Sequence, residues 1–293
     1  MPPSPICCWF WEGGAQEANA AIPDSERQTL IALYNSTNGA GWTDNSNWLE
    51  APGTEDTWYG VACSSTGDNV TELSLDNNQL SGNIPTELGS LTALTNLDLN
   101  YNALYTADTS LKDFLESKPL GWENRQTIAP ETVAVDSDSV SCASALISWT
   151  PISYTAGTGG YQVFYSETSD GPYTLFGTTA DKSKSQLMVS GLIPETTYYF
   201  AVKTKTDPNN YNDNTVYSEY SVKEVSATTD NAVPGDIDNN KIIDLKDAIL
   251  GLQLLSGMEP ASTIYKETDL NGDKKIGMEE VIYILQHVSE LRP

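Results

Sequence analysis

Hydrophobic positions in this chain change their spacing along its length, and each change marks a different kind of element. After Pro23 the polar run Ser25-Glu26-Arg27-Gln28 precedes Leu30, Ile31 and Tyr34. Ser followed three residues on by Gln reads as a capping box, and the apolar trio marks one helical face. Beyond it, VTELSLDNNQLSGNIP starts at Val70 and LTNLDLNYNAL at Leu94, 24 residues later. A fixed period of that size predicts stacked units, a short α/β solenoid.

From about residue 127 the period falls to two. The runs SALISW, YQVFY, YTLFG, QLMVS and TTYYFAVKT are separated by turn-formers such as GTGG and SDGP. Short alternating strands at regular intervals predict an all-β sandwich over residues 127–230. Trp149, Tyr161, Val163, Leu187, Val189, Tyr198, Phe200 and Val202 fall on its inner face. The longest polar connections, 152–160 and 207–215, are where a sandwich would carry function. Residues 229–235 read as a flexible joint.

In residues 231–293 the period lengthens to that of helices. Leu245, Ala248, Ile249, Leu252 and Leu255 recur at helical spacing up to Gly257, and Val281, Ile284, Leu285, Val288 and Leu291 repeat the pattern. The two stripes are expected to face each other across an antiparallel pair. Each helix follows an acidic dodecapeptide: DIDNNKIIDLKD from Asp236 and DLNGDKKIGMEE from Asp269. Calcium loops take oxygen ligands from positions 1, 3, 5, 7 and 12, with 9 often acting through water. The first loop offers Asp236, Asp238, Asn240, the carbonyl of Ile242, Asp244 and Asp247. The second offers Asp269, Asn271, Asp273, the carbonyl of Lys275 and Glu280, with water at Gly277. Two Ca2+ ions are therefore expected. Ile243 and Ile276 at position 8 would pack between the loops. Position 6, where glycine is usual, is Lys241 and Lys274, and a left-handed non-glycine residue there costs roughly 1 kcal/mol or more. Clustered carboxylates repel by roughly 4 kcal/mol per pair at 4 Å and an effective dielectric of 20, so the segment is expected to need its ions to fold.

Composition narrows the function. Fifteen basic and 40 acidic side chains give a net charge of −25, which repels nucleic acid and anionic membranes. No apolar run reaches the roughly 18 residues of a spanning helix. The first 21 residues hold Ala18-Asn19-Ala20, a small-x-small site, and read as a damaged or mis-started signal peptide or else a disordered leader. Cys7, Cys8, Cys63 and Cys142 show no zinc spacing, and a Cys63–Cys142 bridge is one option. His287 is the sole histidine and lies among helix residues, so no Ser/His or Cys/His pair is expected.

Three resemblances follow from these motifs. Residues 22–126 resemble leucine-rich repeats of the variety ending in Ile84-Pro85, behind a cap carried by NGAGWTDNSNW and TWYGVAC. The likeness implies Leu73, Leu75, Leu97 and Leu99 inward and Asn78 and Asn102 bonding the turns. It also implies Glu72, Ser74, Asp76, Asn96, Asp98 and Asn100 exposed. A third, degenerate unit is expected over 108–122 with Leu111, Phe114 and Leu115 inward. The cap usually has a second Cys where Asp56 stands. Residues 127–230 resemble a fibronectin type III domain, through Trp149 with Pro151 and the series Leu192, Pro194, Thr196, Tyr198, Phe200, Val202. That series looks like a tyrosine corner. Residues 231–293 resemble a dockerin, from their loop-helix-linker-loop-helix order and Asp at position 12 of the first loop. Dockerins bind cohesins on scaffolds, often through a small hydroxyl pair at positions 10 and 11. Here those positions hold Leu245-Lys246 and Met278-Glu279.

The resulting expectation is a multidomain chain: leucine-rich repeat solenoid, immunoglobulin-like sandwich and small all-α calcium module. It would be a monomeric, secreted or cell-surface, non-catalytic adhesion or scaffold protein with a protein or glycan partner, a cohesin-like protein being the one the dockerin likeness implies. The alternatives are a non-catalytic component of a polysaccharide-degrading, cellulosome-like assembly and, third, a hydrolase.

Overall fold

A computed structural model describes residues 22–221, 224–260 and 262–290. The leader, including Cys7 and Cys8, and Leu291 lie outside the described residues. In chain order the elements are α1 (Asp24–Ser36), β1 (Val61–Cys63), β2 (Val70–Ser74), β3 (Ser81–Asn83), β4 (Asn96–Asp98), β5 (Ala103–Tyr105) and α2 (Thr109–Glu116). The sandwich strands follow: β6 (Glu131–Asp136), β7 (Ser144–Thr150), β8 (Gly159–Ser166), β9 (Thr174–Thr178), β10 (Gln186–Ser190), β11 (Thr197–Thr206), β12 (Val216–Tyr217) and β13 (Val225–Thr228). Last come α3 (Leu245–Leu255) and α4 (Met278–Val288). The chain divides into two compact units. One takes the described residues up to Asp76 with Ile84–Leu99 and Thr106–Trp122; the other takes Asn77–Asn83, Asn100–Tyr105 and everything described from Glu123 on.

In the first unit α1 begins one residue before the expected capping box. Its N-cap is Pro23, with no side-chain cap, and Gln28 Nε2 reaches Asp24 Oδ1 at 3.4 Å instead of serving Ser25. Pro23 lacks an N–H, so the start loses no donor there. Arg27, on this helix, pairs with buried Glu55 and lies 5.0 Å from the Trp58 ring. Trp42, Trp48 and Trp58 form a chain of ring contacts at 4.8 and 5.1 Å, so the aromatic cap segment is core. The 24-residue spacing becomes a parallel strand pair: β2 lies beside β4 with Leu73 opposite Leu97. Leu73, Leu75, Leu97 and Leu99 are buried. Glu72 and Asn96 are exposed, Ser74, Asp76 and Asp98 half-buried. The expected third unit contains a helix, α2, capped by Asp108 Oδ1 on Leu111 N at 2.7 Å. It buries Leu111 and Leu115 and leaves Phe114 half-buried.

In the second unit β3 and β5 pair in parallel, and the amide ladder expected of Asn102 is present. Its Oδ1 accepts from Asn78 N and Leu80 N at 3.1 and 3.0 Å. Gln126, another 24 residues on, repeats this by accepting from Leu104 N at 3.1 Å. Asn100 departs from expectation: it is buried, not exposed, because the strand has already turned there. The sandwich has one sheet in the order β10-β7-β6 and a second in the order β12-β11-β8-β9, with β13 also on β11. Of its expected inner-face residues all are buried except Leu187, which packs against the same core from the edge.

Residues 229–235 do not form a free joint. Thr229 is buried, Asp230 N donates to Ser141 O at 3.0 Å and Gly235 N to Thr268 O at 2.9 Å. Backbone polar groups that find partners this close to the sheet are withheld from solvent, and the segment is pinned at both ends.

Candidate metal centre

Each acidic loop turns its backbone N–H groups toward the carboxylate at position 1. Asp236 Oδ1 and Oδ2 accept from Asn240 N at 3.0 Å and Lys241 N at 2.8 Å. Thirty-three residues later, Asp269 Oδ2 accepts from Lys274 N at 2.6 Å, and its Oδ1 from Asn271 N and Gly272 N at 2.9 and 3.1 Å. These turns need a left-handed residue at position 6, and Lys241 and Lys274 adopt φ of 69° and 61°. The position-12 carboxylates close the loops from the helices. Asp247 accepts from Asp238 N and Asp244 N at 3.2 and 2.9 Å, and Glu280 from Leu270 N and Gly277 N at 3.3 and 2.6 Å. Asp244 has a second task as N-cap of α3, completing a capping box with Asp247.

In the first loop the carboxylates of Asp236, Asp238 and Asp247 each bring an oxygen within 4.8 Å of the others. Asp236 and Asp247 are fully buried. The Asp238 side chain is 4% exposed, and its Oδ2 meets Lys246 Nζ at 2.6 Å. Its Oδ1 is buried with no hydrogen-bond partner. Burial raises the Asp236 carboxyl above the usual carboxylate range; the N–H groups of Lys241 and Asn240 oppose this, and the charges of Asp247 and Asp238 add to it. Burial also raises Asp247, against bonds from Asp244 and Asp238, and the Asp238 charge pushes the same way. Raised carboxyls, an unpartnered buried oxygen and an all-oxygen donor set fit a hard divalent cation. Asp244 is half-buried and Asn240 exposed at the rim; Ile242 is exposed at position 7.

The second loop is more open. Asn271, Asp273 and Lys275 are exposed, Asp269 is half-buried and Glu280 is buried. Burial works to raise the Asp269 carboxyl, yet three N–H bonds, from Lys274, Asn271 and Gly272, outweigh it and leave the group below its usual value. Asn271 Nδ2 donates to Glu279 Oε2.

Between the loops, Ile276 is buried and Ile243 packs against the same cluster, with Ile237, Ala248, Leu250 and Ile284. A Cβ on Gly251 would lie 2.7 Å from Val281 Cγ2, so glycine permits the close approach of α3 to α4. Of the two expected stripes, Ala248, Val281 and Ile284 are buried as the spacing predicts, but the other described members are not. Leu245, Ile249, Leu252 and Leu255 are exposed, as are Leu285 and Val288; the buried positions are Asp247, Ala248, Leu250 and Gly251, and Glu280, Val281 and Ile284. The cause is position 12. Its carboxylate must point at the loop, and at about 100° per residue Leu245, Ile249 and Leu252 then fall on roughly the opposite side of the helix. The exposed residues correspond at the same 33-residue offset: Leu245 with Met278, Ile249 with Ile282, Leu252 with Leu285 and Leu255 with Val288. His287 lies on α4 beside Tyr283, ring centroids 6.3 Å apart.

The tyrosine corner is present in the sandwich: the Tyr198 hydroxyl accepts from Ile193 N at 3.1 Å, with the ring buried beside Phe200. A family model described as "Fibronectin type III domain" matches residues 129–216. This stretch is a fibronectin type III domain. Among solved structures with similar segments, a titin fragment is 21% identical over 35% of this chain, with a TM-score of 0.27. The chain spans 32% of that fragment. A Fn3-like protein from Clostridium thermocellum is 24% identical over 34% of this chain and 92% of its own, TM-score 0.26. A myokine is 16% identical over 36% of this chain and 99% of its own, TM-score 0.28. No curated protein matches the sequence.

The fibronectin type III loop 207–215 uses its polar groups internally. Asn214 Nδ2 donates to Asn77 O at 2.7 Å, Thr215 O accepts from Gln79 Nε2 at 3.0 Å, and Tyr211 stacks on Tyr101 at 5.8 Å. Cys63 and Cys142 are free thiols, and burial pushes each up to about 11. No helix among the described residues is long and apolar enough to cross a membrane.

Proposed function

We propose that this chain is a secreted or cell-surface, non-catalytic adhesion or scaffold protein whose last sixty or so residues fold around two Ca2+ ions and dock a protein partner. Asp236, Asp238, Asn240, Asp244 and Asp247, with the carbonyl of Ile242, would hold one ion. Asp269, Asn271, Asp273 and Glu280, with the carbonyl of Lys275 and water at Gly277, would hold the other. The observation that carries the reading is the buried first-loop cluster, in which Asp238 Oδ1 has no partner. Leaving a buried carboxylate oxygen unpaired is costly, and a cation bound by oxygen ligands removes that cost. The duplicated apolar stripe on α3 and α4 would be the docking face, with a cohesin-like protein as the partner class. The leucine-rich repeat reading of residues 22–126 would supply a second, polar binding surface, and the fibronectin type III domain suits such a modular role. The test is titration calorimetry of the full chain after removal of metal by a chelator. Two calcium sites are expected in wild type and one in Asp236→Asn. Absence of heat at millimolar calcium overturns the reading.

A further inference from the structure

The residue at position 11 reaches the residue at position 3 in both loops, but with opposite chemistry. In the first loop Lys246 Nζ lies 2.6 Å from Asp238 Oδ2. In the second, Glu279 Oε2 accepts from Asn271 Nδ2. The two pairs are equivalent at the 33-residue offset that relates the loops, so one geometric contact carries a cation in one loop and an anion in the other.

We propose that position 11 tunes the two calcium sites in opposite directions: Lys246 is a tethered cation that competes with calcium at Asp238, and Glu279 is an added negative charge that favours calcium in the second loop. This rests on the calcium reading above. Asp238 has two carboxylate oxygens. Both are buried without a hydrogen-bond partner, and Oδ2 alone has an ion-pair contact, with an ammonium whose side chain is more than half exposed. The ammonium compensates part of the first-loop charge when no ion is bound. On binding, a divalent ion at Asp238 repels it, and the long lysine stem lets Nζ move into water. Part of the binding free energy goes to displacing it. Glu279 has no such conflict. It sits on the exposed first turn of α4, and its carboxylate stays within one side chain of the loop. A single charge about 5–8 Å from a divalent ion in a water-like dielectric changes affinity by about five- to fifteenfold.

The test compares wild type, Lys246→Gln and Glu279→Gln as full chains, by calcium titration calorimetry and by helical circular dichroism in chelator. Lys246→Gln should tighten one of the two sites by about five- to fifteenfold and leave the other unchanged. In chelator the same variant should melt at a lower temperature than wild type, since Asp238 has lost its counter-charge. Glu279→Gln should weaken the other site by a similar factor. The opposite signs for Lys246→Gln, tighter with calcium and less stable without it, are not produced by a purely structural lysine. If wild type binds two ions and Lys246→Gln leaves both constants unchanged or weakens them, this proposal fails while the calcium reading stands. If wild type binds no calcium, the calcium reading itself fails.

Discussion

Lys182 stands in the polar run Asp181-Lys182-Ser183-Lys184 between β9 and β10, a composition that reads as a solvated loop. The structure buries it at 2% exposure. Nζ donates to Ala156 O at 2.7 Å and Thr206 Oγ1 at 3.2 Å and lies 4.2 Å from the Tyr154 ring. Burial lowers its pKa from 10.5 to about 8, with Asp207 opposing. Between those two values the unfolded chain holds more protons than the folded one, so raising the pH stabilises the fold. The melting temperature of wild type relative to Lys182→Met should therefore climb between pH 8 and pH 10. A difference that stays flat across that range would show that the ammonium is not held at a cost. By contrast, Tyr198 was legible, because the alternation from Leu192 to Val202 fixes both its side and its register.

At the scale of elements, spacing located the helices but not their orientation. Both stripes read as core because apolar residues at helical intervals usually are. The carboxylates at Asp247 and Glu280 override this by tying one face of each helix to its loop. What remains outside is a matched pair of apolar ridges, Ile249 and Ile282 being 54% and 47% exposed. On the docking role proposed above, changing both, Ile249→Glu with Ile282→Glu, should abolish capture of a cohesin-type scaffold module in a pull-down and leave calcium binding intact. Loss of calcium binding together with capture would mean the ridges are structural. The amide ladder was half legible. Asn78 and Asn102 were evident within the two clear units, while Gln126 lies 24 residues beyond Asn102 in a stretch with no matching leucines, so only the hydrogen bond to Leu104 N reveals it.

At the scale of the whole molecule, a chain with a net charge of −25 concentrates part of that charge in two short loops backed by a small core. Removing calcium with a chelator should lower the melting temperature of the helical circular dichroism signal; an unchanged melt would speak against ion-dependent folding. In chelator, the first loop's share of that loss should shrink on acidification, read as the melting temperature of wild type relative to Asp236→Asn, because Asp269 in the second loop is shifted the other way. Asp236 and Asp247 have folded pKa values raised above 3.8, so stability falls as the pH rises through the window above that value and returns as it is lowered. The apolar period changes at the 126/127 boundary. By compactness, however, Asn77–Asn83 and Asn100–Tyr105 belong with the sandwich, through contacts such as Asn214 to Asn77 that no periodicity encodes. The sequence by itself determined the order of element types, the sandwich core, both acidic loops and the left-handed turns at Lys241 and Lys274, because each depends on spacing within one short stretch. Tertiary structure decided which helix face is buried, that 229–235 is pinned, that Lys182 lies inside and that position 11 touches position 3. Those outcomes depend on which distant groups compete for the same space and charge.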